Sequence, residues 1–266
     1  MSAQDLFAKG QLAEAIEAAL NAVRSKPSDL NARFFLAELL CFDGAWERAD
    51  KQLDALLQQS KEPHMFAMLF RQLIRAEVIR EQVFRDGRAP EVMVDLDQHA
   101  QTQLRLGLAL RTQNLAEVRS LAQEAESIRP QFSGSVNGNA FSGGIRDLDD
   151  RISGVYEILT SNGKYLWIPT SAVKSLEFDK PERPLDLIWR KATIDVIGGP
   201  GGEVYMPVRY PLVHIDQWDV ATKLGRGTSW IGDEESAIYG VGQRVLLVGE
   251  DALSLMEIQG LSKSES

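Results

Sequence analysis

The chain has 266 residues, 44% of them hydrophobic and 25% charged, which is the composition of a folded protein of about two ordinary domains. Its formal charge of −9 divides as −3 over residues 1–130 and −6 over the rest, so neither half offers the positive field that a phosphate backbone requires, and nucleic-acid binding is not expected. A single cysteine, Cys41, excludes a disulfide framework or thiolate metal cage within one chain and fits a reducing compartment, with the cytoplasm as the expected location.

Residues 1–11 lack the basic head and apolar run of a signal peptide. The most apolar stretch, residues 34–42, is interrupted by Glu38 and is too short to span a bilayer. The first half instead carries a repeat. Gly10-Gln11-Leu12-Ala13-Glu14-Ala15 returns 34 residues later as Gly44-Ala45-Trp46-Glu47-Arg48-Ala49, and 34 is the period of tetratricopeptide helical hairpins. The glycine ends one helix where a backbone without a Cβ is wanted, and the alanine five residues on lets the next helix pack closely. Pro27 stops the first unit, and Ser28 or Asp29 can cap a helix over residues 30–42, whose core face holds Phe35, Leu36, Leu39 and Leu40. Residues 65–84 form one long amphipathic pattern ended by Asp86-Gly87-Arg88-Ala89-Pro90. Residues 95–111 and 115–129 form a fourth pair, with Leu115-Ala116-Glu117 and Pro130 repeating Leu12-Ala13-Glu14 and Pro27 at an offset of 103, three periods plus one.

From residue 131 the composition turns to Ser, Gly and Asn, and residues 131–150 read as a connector. Residues 155–160 and 164–168 flank Asn162-Gly163, a two-residue type I′ hairpin signal. Further strands are expected at 192–197, 203–208, 237–239 and 244–248, short helical pieces at 171–176 and 185–189, and a frayed tail at 262–266. The fold class is therefore α+β: a tetratricopeptide-like α-helical hairpin solenoid over residues 1–130, then a small antiparallel β-rich, barrel-like domain over residues 151–266.

Candidate chemistry is sparse. His64, His99 and His214 stand in no ligand spacing and read as surface or hydrogen-bonded polar residues. Asp147, Asp149 and Asp150 lack the glycine and closing glutamate of a calcium loop and are expected to pair with arginines across the domain junction. Gly198-Gly199-Pro200-Gly201-Gly202 is followed by neither Gly-Lys-Ser/Thr nor a helix, so it reads as a hairpin loop. No nucleophile motif is present and no cofactor or metal is expected, so the chain is not expected to be an enzyme. The alternative is an enzyme or small-ligand-binding protein whose site, in the β-rich half, gathers Trp167, Trp189, Tyr205, Arg209 and Tyr210 with Glu203. A third reading is a scaffold whose β-rich half self-associates. Arg71, Arg75, Arg80, Arg85 and Arg88, set against Glu77, Glu81 and Asp86, form either a solvated helix face or an anchor for an acidic or amphipathic peptide.

Residues 80–211 carry a series of short strings: Arg80 with Val83-Phe84-Arg85-Asp86-Gly87-Arg88-Ala89-Pro90; Asp147-x-Asp149-x-Arg151; Asn162-Gly163-Lys164-Tyr165-x-Trp167-Ile168-Pro169; Arg183-x-Leu185-x-Leu187-Ile188-Trp189-Arg190; and Gly202-Glu203-Val204-Tyr205-Met206-Pro207-Val208-Arg209-Tyr210-Pro211. In this order, behind helical repeats, they resemble the ImpE family, also called SciE or TagJ, accessory proteins of bacterial type VI secretion. One departure is that the family has a tryptophan shortly before the Asp-x-Asp-x-Arg string, where this chain reads Phe141-Ser142-Gly143-Gly144-Ile145-Arg146. The resemblance implies a cytoplasmic, non-catalytic adaptor that binds the N-terminal helix of the small contractile-sheath subunit and thereby influences sheath handling by the AAA+ recycling ATPase. A stack of helix pairs presents a groove suited to such a helix. Repeat geometry alone places Asn31, Phe34, Glu38, Cys41 and Phe42 from the second unit, and Met65, Met68, Gln72 and Arg75 from the third, along that groove, where methionines give an adaptable apolar surface.

Overall fold

The computed structural model describes residues 1–212, 218–233 and 236–264. The repeated glycines organise its first half. Helices α1 (Ala3–Ala8) and α2 (Leu12–Ser25) form one hairpin, and α3 (Leu30–Phe42) and α4 (Trp46–Gln59) the next. Gly10 and Gly44 turn the corners at φ of 77° and 72°, so that the following N–H reaches back, Gln11 to the Leu6 carbonyl and Ala45 to the Leu40 carbonyl, at 2.9 and 2.8 Å. Asp29 caps α3 by accepting from the Ala32 N–H. Next comes α5 (Met65–Asp86), capped by His64, whose Nδ1 accepts from the Ala67 N–H. It runs antiparallel against α4, Trp46 donating to Glu81 and Arg71 to Asp50 and Asp54, but no helix follows to complete a hairpin with it. The chain leaves it through a two-residue strand, β1 (Glu91–Val92), before α6 (Gln98–Arg111) and α7 (Leu115–Ser127) form the last hairpin. There Gln113 adopts φ of 54°, at the position that glycine fills in the first two copies.

The second half runs β2 (Gly134–Val136), β3 (Asn139–Phe141), β4 (Ile145–Asp147), β5 (Val155–Leu159), β6 (Tyr165–Pro169), β7 (Val173–Phe178), β8 (Trp189–Val196), β9 (Gly202–Pro207), α8 (Val220–Lys223), β10 (Thr228–Ile231), β11 (Tyr239–Gly242), β12 (Val245–Val248), β13 (Asp251–Ser254) and β14 (Gly260–Lys263). Nine strands form one sheet in the order β1-β6-β5-β9-β8-β7-β14-β2-β3, antiparallel throughout except where β1 lies parallel to β6; β13-β12-β4 and β10-β11 are separate small sheets. The large sheet ends in free edges at β1 and β3, so it is open and not a closed barrel.

Several sequence expectations are corrected. Residues 131–150 are not a bare connector, because β2, β3 and β4 belong to the β-rich half. Val136 pairs with Asn139 around Asn137-Gly138, whose φ values of 51° and 82° make this the two-residue turn with both centres left-handed. At Asn162-Gly163 the hairpin forms as expected, but only Gly163 has positive φ, and the loop closes by Gly163 N–H donating to the Thr160 carbonyl. Residues 173–176, read as helix, are in β7, and Ser262 and Lys263, read as frayed tail, are in β14 between β7 and β2. Residues 91–92, placed in the helical domain, join the sheet.

Every residue of β5 and β6 is buried because the sheet is covered on both faces. On one face Val155, Leu159, Tyr165 and Trp167 join a core that also contains Leu36, Phe42, Phe70, Trp189, Tyr210 and Leu224. On the other, Tyr156, Ile158, Leu166 and Ile168 pack with Met206 and Leu246. The first core is shared between the helices and the sheet, and the two halves are one packed body.

Candidate functional site

The joint between the halves is built around Arg80, which is 1% exposed on the inner face of α5. Its Nε and Nη2 donate to the two carboxylate oxygens of Glu157 at 2.7 and 2.9 Å, Nη1 donates to Glu77 at 2.8 Å, and Nη2 also donates to the Arg209 carbonyl. Burial pushes the Glu157 carboxyl up, but Arg80 and Arg244 together outweigh it and hold it at about 2. Trp189 donates its indole N–H to Glu77 at 2.7 Å and stacks on Trp46 with centroids 5.7 Å apart. Arg209 donates to the carbonyls of Cys41, Phe42 and Lys223, satisfying the C-terminal end of α3.

This joint absorbs the aromatic and arginine set that formed the alternative site. Trp189, Arg209 and Tyr210 are buried and hydrogen-bonded, Tyr210 to Asp147 at 3.0 Å. Trp167 donates to the Tyr165 hydroxyl, which itself donates to Glu157. Tyr205 is buried, and Glu203 lies outside, paired with Lys191 at 2.8 Å. The six do not converge on a common pocket. Asp147, Asp149 and Asp150 are structural as expected, but they bind Arg244, Arg151 and Arg146 of their own half; the arginines that cross the junction include Arg80 to Glu157, Arg146 to Glu126 and Arg209 to the α3 carbonyls.

The nine residues expected along a groove do not share one surface. Glu38, Cys41 and Phe42 are buried, at 5%, 0% and 0% exposure, because the segment around Leu185 and Arg209 of the β-rich half covers that end of α3. This corrects their expected solvent-facing position. Burial pushes the Glu38 carboxyl up to about 7 against the pull of Arg183, and burial pushes the Cys41 thiol up. Phe34 is half-buried in a ring cluster with His64, Phe66 and Phe70, and Arg183 lies over the Phe66 ring at 3.9 Å. Asn31 is exposed at the start of α3. On α5, Met65, Met68, Gln72 and Arg75 do fall on one face by their spacing of three and four, opposite the face that carries Phe70, Leu73, Glu77 and Arg80 inward. Met65 and Met68 are 70% and 47% exposed, and Gln72 and Arg75 continue into a shallow hollow beside Trp46 and Asn162.

Of the arginine series, Arg71 is held by Asp50 and Asp54 of α4 at 2.7 and 2.6 Å, Arg85 by Asp86, and Arg88 by Gln82. His99 is buried beside Gln103, and burial lowers its pKa; His214 lies outside the described residues. Among the described residues no group of histidine, cysteine and carboxylates is placed to hold a metal ion, and no helix is long and apolar enough to cross a membrane.

Sequence reading missed a cleft of about 750 Å³ between the C-terminal end of α5, one face of α6 and the β10-β11 ladder. Phe84, Leu104, Trp167, Trp218 and Ile231 line it, with Arg88 and Arg111 at its edge. Pro211 and Trp218 stand on either side of residues 213–217, which lie outside the described residues. Arg151, held by Asp149, is sandwiched over the Phe84 and Tyr239 rings in its wall. The one signal in the sequence was the spacing of Leu104, Gly107, Leu108 and Arg111 along one helix face.

Comparison with known proteins agrees with this architecture. The family described as ImpE protein matches residues 138–262, beginning inside the segment that looked like a connector. The type VI secretion system accessory component TagJ of Pseudomonas aeruginosa is 29% identical over 262 residues, covering 98% of this chain and 90% of that protein. An X-ray structure of a protein from Vibrio parahaemolyticus is 30% identical and aligns with a TM-score of 0.90 over 99% of this chain and 98% of that one. The short strings that suggested a relationship supply the buried joint, from Arg80 through Asp147 and Trp189 to Arg209, and the similarity runs through both halves around it: the chain belongs to the ImpE family.

Proposed function

We propose that this chain is a non-catalytic accessory protein of a type VI secretion apparatus, working in the cytoplasm, whose tetratricopeptide-like helices bind the N-terminal helix of the small contractile-sheath subunit and so influence sheath recycling by the AAA+ ATPase. The accessory role is supported by the relative's description as a type VI secretion accessory component. The observation that carries the binding role is the solvent face of α5, where Met65 and Met68 are exposed three residues apart and Gln72 and Arg75 continue the stripe. Unbranched, polarizable methionines on a helix face suit an apolar helix ridge. Glu38, Cys41 and Phe42 have no part in this surface, and Phe34 and Asn31 flank it at most.

The test titrates a peptide copying that N-terminal helix against the full chain. Met65→Asp with Met68→Asp is expected to weaken binding by about tenfold or more, as loss of an apolar anchor pair does, with Arg75→Glu changing affinity less and in a salt-dependent way. Both methionines are exposed, so the fold is retained. Undiminished binding by the double variant removes this face from the account.

A further inference from the structure

We infer that the cleft between α5, α6 and the β10-β11 ladder is a second docking surface, and that its occupant is an amphipathic, acidic helix of a partner protein. Four observations converge there, most of them on α6. Leu104, Gly107, Leu108 and Arg111 lie at i, i+3, i+4 and i+7 on α6, and Leu108 is 54% exposed although it faces an apolar hollow. Across the cleft Ile231 is 47% exposed. Apolar side chains left open on both rims suit a partner that extends past the hollow, which a small enclosed ligand does not.

Gly107 is the second observation. A glycine inside a helix weakens it relative to alanine, yet a Cβ added here would meet nothing within 4 Å. The fold itself gives no reason for its smallness. A second backbone crossing α6 at this point does, because only a missing side chain lets two helices approach closely. The third observation is charge. Arg111 lies across Gly87 and makes no ion pair within 4 Å among the described residues, although Asp86 is near enough for their charges to interact. It stands with Arg88 at the cleft edge, two arginines against the one carboxylate of the lining, Asp219, which caps α8. The rim therefore favours carboxylates on the occupant. Finally, Gln103 is fully buried at the cleft wall with its Nε2 spent on Ser153, and its Oε1 has no donor in the structure. The wall of the hollow thus holds a polar atom that the fold leaves unsatisfied.

This surface lies at the far end of α5 from Met65, roughly 30 Å away along a helix that rises about 1.5 Å per residue. An adaptor needs two such surfaces, but this inference stands without the one proposed above. The experiment uses the full chain and two labelled peptides of about 18 residues, one with leucines at i, i+3, i+4 and i+7 and glutamates elsewhere, the other with lysines in place of the glutamates. Fluorescence anisotropy is expected to show the acidic peptide binding about tenfold tighter than the basic one, with Arg88→Glu plus Arg111→Glu reversing the preference. Gly107→Met is expected to abolish binding while the thermal midpoint holds or rises, and Met65→Asp with Met68→Asp leaves it intact. Equal affinity for the two peptides, binding by neither, or binding untouched by Gly107→Met and the arginine reversals overturns the inference. So does binding of decanoate with no binding of either peptide, which would assign the hollow to a small acid.

Discussion

Replacing Arg80 by methionine keeps the length and apolar stem of the side chain and deletes only its guanidinium, which makes it a sharp test of whether the joint is held electrostatically. Glu157 would keep Arg244 at 3.1 Å and the Tyr165 hydroxyl, and Glu77 would keep the Trp189 indole. Breaking a buried pair costs about 3–5 kcal/mol, and these surviving partners place the loss near about 3 kcal/mol by that range. The Arg209 carbonyl left without its donor adds about 1 kcal/mol. The direction agrees with the Glu157 carboxyl, which Arg80 and Arg244 together hold at about 2 against an ordinary 4.5, so that deleting Arg80 removes part of that depression and leaves the part due to Arg244. At roughly 2–4 °C per kcal/mol for a protein of this size, the thermal midpoint should fall by about 10 °C. The pH dependence has a definite sign. A depressed carboxylate contributes stability above its unfolded pKa and loses it as pH falls through the folded one, so the wild type should lose this contribution between 4.5 and about 2. The variant should show a smaller acid slope. Denaturant unfolding at several pH values measures both, and a double-mutant cycle with Glu157→Gln should give a coupling of about 1–3 kcal/mol. A loss below about 1 kcal/mol, as for an ordinary surface change, with an unchanged acid slope would refute the reasoning.

Glu38→Gln should act in the opposite pH window. Its folded pKa is raised to about 7, so the stability associated with the protonated form is present below 4.5 and lost as pH rises to about 7; the amide variant should flatten that decline in chemical denaturation, and an unchanged slope would count against burial of this carboxyl. Residues 1–130 expressed alone should fail to give a cooperative unfolding transition, because Leu36, Phe42 and Phe70 lose the Trp189, Tyr210 and Leu224 side of their shared core. A native-like, dispersed amide spectrum from that fragment would contradict the shared core.

The helical half was legible because its signals are local. Glycine at a corner, aspartate at a cap and leucines on a stripe act within one or two turns, and Gly10, Gly44 and Asp29 do in the fold what their positions suggest. Strand β7 was not legible for an equally local reason. A register shift between Val173 and Ser175 puts buried Val173 and Leu176 three residues apart, and that spacing imitates a helix. Strands β2 to β4 are three residues each, too short for a period of two to stand out, although Asn137-Gly138 was a turn signal as strong as the one noticed at Asn162-Gly163. The burial of Glu38, Cys41 and Phe42 could not be read at all, since it depends on carbonyl contacts made by Arg209, more than 160 residues away.

The same distinction separates what the family strings report from what binding requires. Arg80, Asp147, Asp149, Trp167, Trp189 and Tyr210 are side chains whose polar groups are consumed by buried partners such as Glu157, Glu77, Arg244, Arg151 and Tyr165, and Arg209 spends both terminal nitrogens on backbone carbonyls. A group already satisfied at the centre of a fold has nothing left to offer a partner, so the strings that identify the architecture are silent on recognition. Recognition has to be sought where the fold leaves groups unspent. Two places meet that condition here: the methionine face of α5, and the α6 stripe where Gly107 forgoes a side chain that the fold has room for and Arg111 makes no ion pair within 4 Å among the described residues. Both are set by α5 and α6: no helix follows α5 to complete a hairpin with it, and α6 pairs with α7 on one side, so each keeps an exposed face that no neighbouring helix covers.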